Sequence, residues 1–134
     1  SAASDVYKRQ AFQSDLFENQ PFQYYIIGSP AFWSPYFLES ESNPPEYQME
    51  YGYFDRNTSF SKTLYVCGGE QEDADYASYY GENDSTLEGI THLMGRLKAE
   101  GVTTAECKIY ADSNHYAYIP EMFQTFFLQF YRHA

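Results

Sequence analysis

The chain has 134 residues, enough for one domain, and carries 8 Lys and Arg against 19 Asp and Glu, a formal net charge of −11. That balance excludes a nucleic-acid or anionic-membrane surface, because either needs a basic footprint to neutralise phosphates. Aromatic residues make up 20% of the chain, which excludes intrinsic disorder, and no run approaches the roughly eighteen apolar residues of a membrane span.

Residues 1–10 are polar, lack an initiator Met and show no periodicity. They resemble a translated sequencing-adapter peptide, so they read as a non-native segment, with the native sequence expected from Ala11 to Ala134. The first thirty residues also lack a basic end followed by an apolar stretch, the pattern of a secretory signal.

From Ala11 to Gln20, the residues Phe12, Leu16 and Phe17 share one helical face. The run Phe22–Pro30 is aromatic and β-branched and is punctuated by Gly28 and Pro30, the pattern of a strand buried on both faces. Ser34–Pro45 reads as a loop, and Glu46–Phe54 as a short crossover helix. Thr63–Gly69 and Glu106–Ala111 repeat the buried-strand pattern. Between them Leu87, Ile90, Met94 and Leu97 recur at helical spacing, Ser85 and Glu88 form a capping box, and Gly101 stops the helix. Pro120 opens a last helix whose apolar face is Met122, Phe123, Phe126, Phe127, Phe130 and Tyr131.

Strand, irregular segment, strand, helix, strand, helix predicts an α/β fold, about three parallel strands flanked by helices and joined by right-handed crossovers. Three strands are few for so apolar a set, so one sheet edge is expected to be exposed and apolar. Cys67 and Cys107 have no metal-binding spacing, and both read as buried small hydrophobes. No phosphate loop, metal or cofactor motif is present in the sequence.

In parallel sheets, functional groups collect where strands end at their carboxyl side. Here one such loop holds Glu70, Glu72, Asp73 and Asp75, and the next holds His115. A lone loop His is commonly just a hydrogen-bonded surface residue, and an acid run commonly just a solvated loop. Together, an acid after one strand and a His after the next match the last two members of a Ser…Asp/Glu…His triad. Asp112 competes as the partner of His115 or serves as a loop cap. His92 reads as a solvent-facing helix residue.

Several of these stretches also carry a resemblance. Tyr25-Ile-Ile-Gly-Ser-Pro-Ala-Phe-Trp33 resembles the "YIIGSPSLWW" stretch of the esterase family of α/β-hydrolases that includes the enterobactin and bacillibactin (siderophore) esterases. Leu64–Asp73 resembles that family's strand followed by Gly-x-x-Glu. Ala111–His115, with Ile119-Pro120 after it, resembles its G-x-x-H…P signature, and Met122–Tyr131 its closing helix.

The resemblance spans residues 15 to 132. It implies the C-terminal part of an α/β-hydrolase fold and a serine carboxylic-ester hydrolase acting on a small-molecule ester. It makes His115 the general acid/base, Glu72 or alternatively Glu70 its orienting acid, and Ser29 and Trp33 residues of the loop facing the site. The family's nucleophile lies in Gly-x-Ser-x-Gly one helix before the first of these strands, and this sequence has no such motif. The N-terminal half and the nucleophile elbow are therefore expected to be missing, and the chain alone is expected to be inactive. An acyltransferase of the same family, or a non-catalytic acidic, Tyr-rich binding module, are the other readings. An in-frame Gly-x-Ser-x-Gly upstream of Ala11 separates the enzyme from the binding module.

Overall fold

The computed structural model describes residues 23–30, 60–82 and 84–130. The expectations for the segment 1–10, the helical face at 11–20, the loop and helix between Ser34 and Phe54, Trp33 and Tyr131 lie outside those residues.

The described part is an α/β arrangement. Strands β1 (Tyr24–Gly28), β2 (Thr63–Gly69) and β3 (Ala105–Tyr110) form one parallel sheet in the order β1-β2-β3. Helices α1 (Glu72–Asp75) and α2 (Ala77–Tyr80) follow β2. Helix α3 (Thr86–Ala99) leads to β3, and α4 (Ile119–Phe130) ends the described chain. Tyr25 lies beside Leu64 and Gly28 beside Cys67, while Leu64 pairs Ala105 and Gly69 pairs Tyr110. This register brings the carboxyl ends of all three strands to one side of the sheet.

Strand side chains alternate between two cores, as the pleat requires. On one face Tyr25, Ile27, Leu64 and Val66 pack with Phe60 and with Ile90, Leu93 and Leu97 of α3. On the other, Tyr65, Cys67 and Tyr110 pack with Tyr118 and with Met122 and Phe126 of α4. Each fully buried aliphatic side chain contributes about 1.5–3 kcal/mol by leaving water. Helix α3 begins as its sequence dictates: the Ser85 hydroxyl accepts from Glu88 N at 3.1 Å, and the Glu88 carboxylate accepts from Ser85 N at 3.1 Å. Its buried stripe is centred on Leu93, with Leu87 and Met94 at the margins.

Three expectations are corrected. β2 is buried on both faces, but in β3 the residues Glu106 to Ile109 are exposed, because no described strand lies beyond it. Cys107 is exposed for the same reason, and only Cys67 is buried. On α4, Phe123 and Phe127 face outward with Leu128, since the helix meets the sheet along the narrower stripe of Met122 and Phe126.

Candidate functional site

The site is built where the loop after β3 lies against the turn after β2. Glu70 N donates to Tyr110 O (3.0 Å), Gln71 N donates to Ser113 O (3.0 Å), and Asp112 N donates to the Glu70 carboxylate (2.9 Å). Gly69 makes this approach possible: a Cβ there would stand 2.5 Å from Asn114 O and nearer still to Ser113 O. Asp112 turns the loop in the left-handed region at φ 51°. The Asn114 side chain then accepts from Tyr116 N and Ala117 N, both at 2.9 Å, an Asx cap that shapes the segment carrying His115.

So placed, His115 Nδ1 lies 2.7 Å from Glu72 Oε1. The other carboxylate oxygen, Oε2, accepts from Gly69 N at 2.7 Å and from the Ser29 hydroxyl at 2.7 Å. Ser29 follows β1, and its amide continues the ladder to Cys67 O (2.8 Å). Its hydroxyl also contacts the Tyr118 hydroxyl in a short hydrogen bond. Thus the ends of all three strands meet on one carboxylate.

Glu72 is fully buried, at 0% exposure. Burial works against its charge, yet its carboxyl sits below the usual carboxylate range. The hydrogen bonds from His115, Gly69 and Ser29, with the positive charge that the imidazole carries when protonated, outweigh desolvation. An ionised carboxylate can only accept, so His115 donates from Nδ1, and the neutral form of that ring has its lone pair on Nε2. The rings of Tyr76 and Tyr116 flank the imidazole at centroid distances of 5.3 and 4.8 Å.

The four acids of the loop thus part ways. Glu72 reaches His115. Glu70 holds the Asp112 amide instead. Asp73 accepts from Ser85 Oγ (2.6 Å) and Leu87 N (3.2 Å), anchoring the start of α3. Asp75 is exposed, and Asp112 meets Glu70 through its backbone rather than His115 through its side chain. His92 is exposed and pairs with Asp84 at 2.6 Å. The Ser29 hydroxyl is buried at 3% exposure and turned to Glu72 rather than outward to a substrate, and Trp33 lies outside the described residues.

Sequence reasoning missed Tyr118 entirely. Its only signal was a tyrosine just ahead of the Ile119-Pro120 pair, in a chain with 15 tyrosines.

Comparison with protein-family models, curated proteins and solved structures finds no match to this chain.

Proposed function

We propose that Glu72 and His115 are the acid and the general base of a serine-dependent ester-cleaving site, in the α/β-hydrolase arrangement that the sequence resembles, with a small-molecule ester as substrate. The observation that carries this reading is the 2.7 Å contact between a buried, ionised carboxylate and Nδ1 of a loop imidazole at neighbouring strand ends.

In this reading the nucleophilic serine gives its proton to His115 Nε2 as its oxygen bonds to the ester carbonyl carbon. Glu72 stabilises the imidazolium that forms and does not itself take the proton. The imidazolium then protonates the departing alkoxide, leaving an acyl-enzyme. Water, deprotonated by the same nitrogen, adds to the acyl carbon, and the imidazolium returns that proton to the serine oxygen as the acyl–oxygen bond breaks and the acid leaves. A hydroxyl compound replacing water at that step makes the enzyme an acyltransferase.

The serine is not Ser29, whose one proton is committed to Glu72. Nor does any Gly-x-Ser-x-Gly occur in the 134 residues. The reading therefore assigns acid and base to this chain, and turnover to a protein that joins them to a serine.

Reading the genomic frame upstream of Ala11 tests it first: an in-frame Gly-x-Ser-x-Gly is expected. In the protein so extended, His115→Ala is expected to abolish hydrolysis of p-nitrophenyl butyrate with the circular dichroism unchanged. Turnover in that variant within a few-fold of the parent overturns the assignment.

A further inference from the structure

We propose that Tyr118 and Ser29 form a two-hydroxyl donor chain, Tyr118 to Ser29 to Glu72, that holds the buried carboxylate ionised and aimed at His115. Both are positioning residues, and their role rests on the reading of Glu72 and His115 as an acid–base pair.

Proton counting fixes the direction of the chain. A serine hydroxyl has one proton and a tyrosine hydroxyl has one. Ser29 Oγ donates at 2.7 Å to Glu72 Oε2, which as a carboxylate can only accept. The short contact between Ser29 Oγ and the Tyr118 hydroxyl must then be filled by the tyrosine proton. Tyr118 retains that proton: burial, the largest influence, pushes its hydroxyl far up, the hydrogen bond with Ser29 only partly offsets that, and the negative Glu72 adds to the upward effect.

Both residues are held in place by more than this contact. The Tyr118 ring is buried and stacks on Tyr110 at 5.3 Å and 14°. Its carbonyl accepts from Met122 N at 2.8 Å in the first turn of α4. Ser29 sits at φ 49°, in the left-handed region that a residue with a Cβ adopts reluctantly, and Pro30 follows it. A glycine suits that backbone better. A serine there supplies the hydroxyl that glycine lacks.

The groups facing Glu72 are His115 from the loop after β3, Ser29 from the end of β1 and Tyr118 from the segment entering α4. Tyr76 and Tyr80 face it from its own segment, with Glu70, Asp73 and Asp75 close by in sequence. Among the described residues, His115 and Ser29 are the side chains hydrogen-bonded to this carboxylate, and the other donor to Oε2 is the Gly69 amide, so loss of the Ser29 hydroxyl removes one of the two described donors to that oxygen.

The test is a carbon-13 NMR pH titration of the Glu72 carboxyl in the 134-residue chain, for the parent, Ser29→Gly, Tyr118→Phe and the double variant. Amide spectra check that each remains folded. Ser29→Gly relieves the left-handed backbone, and Tyr118→Phe keeps the stacked ring. Ser29→Ala serves as the second variant if Ser29→Gly fails to fold.

Ser29→Gly is expected to weaken the acidity of Glu72 about tenfold, and Tyr118→Phe about two- to threefold. The double variant is expected to match Ser29→Gly alone, because Tyr118 acts only through Ser29. A purely structural role for Tyr118 does not produce that dependence. Unchanged acidity in Ser29→Gly, or a Tyr118→Phe effect that persists undiminished in the Ser29→Gly background, overturns the proposal. The titration reads no turnover, so its failure leaves the ester-cleavage assay standing, and a failed assay leaves the titration standing.

Discussion

Gly69 and Asn114 approach so closely that a Cβ at position 69 would stand 2.5 Å from the Asn114 carbonyl oxygen. Their contact is backbone against backbone. Neither side can yield as a flexible side chain would, and the loop it seats carries His115.

Gly69→Ala is therefore expected to push the loop off β2 and part His115 from Glu72. Overpacking of this kind costs about 1–3 kcal/mol. A urea titration reads the stability loss. Loss of the slow amide exchange at Gln71, whose N–H donates to Ser113 O across the same seam, reads the displacement. Parent-like exchange at Gln71 in the variant contradicts the account.

Glu72 also links stability to pH. Its folded carboxyl is more acidic than in the unfolded chain, because the three donors outweigh the desolvation that opposes them. A depressed carboxyl contributes stability above its unfolded pKa and loses it as the pH falls through its folded pKa. Glu72→Gln, which retains the shape but not the charge, is expected to be less stable than the parent by about 1–3 kcal/mol at neutral pH. The gap is expected to close as the pH drops below the usual carboxylate range. Urea midpoints for both proteins across that range check it, and a gap independent of pH sinks it.

The backbone of the fold was largely legible in the sequence, because the deciding physics was local. The β-branched, aromatic run Thr63–Gly69 is a strand with those bounds, and Ser85 with Glu88 caps α3 as their spacing requires. Burial was less legible, since it depends on what covers a surface. Ile109 and Phe127 carry apolar side chains but stand 39% and 55% exposed.

The order acid-then-histidine was readable, but spacing could not separate Glu70 from Glu72. The choice is made by the turn, which aims Glu72 back at the Gly69 amide and sends Glu70 to the Asp112 amide. The Ser29–Tyr118 contact joins residues 89 apart. No local pattern encodes it.

Helix α3 has two internal glycines, Gly89, which is buried, and Gly95. Gly95 is exposed, and a Cβ there would meet nothing within 4 Å. Gly95→Ala is expected to stabilise the chain by about 1 kcal/mol, through helix propensity and a less flexible unfolded state. Ser85→Ala, by contrast, removes both an acceptor for Glu88 N and a donor to Asp73. It is expected to cost about 1 kcal/mol. Thermal melts of the two variants should move in opposite directions.

The two thiols give a last, independent check on how the sheet is covered. Cys67 lies in the central strand, buried between Tyr65, Tyr110 and α4, and burial pushes its thiol up to about 12. Only the thiolate attacks a disulfide reagent, so Cys67 is protected both by access and by protonation. Cys107 stands on exposed β3, and although partial burial raises its thiol as well, it is open to the reagent. With Ellman's reagent at mildly alkaline pH, the folded chain is expected to release one equivalent of thiolate promptly. The second should appear only as fast as the sheet opens, or at once in guanidinium. Cys107→Ser should remove the prompt phase and leave the slow one. Two prompt equivalents from the folded parent would mean that α4 does not cover Cys67 in solution, and the packing that places Tyr118 behind Ser29 would fall with it.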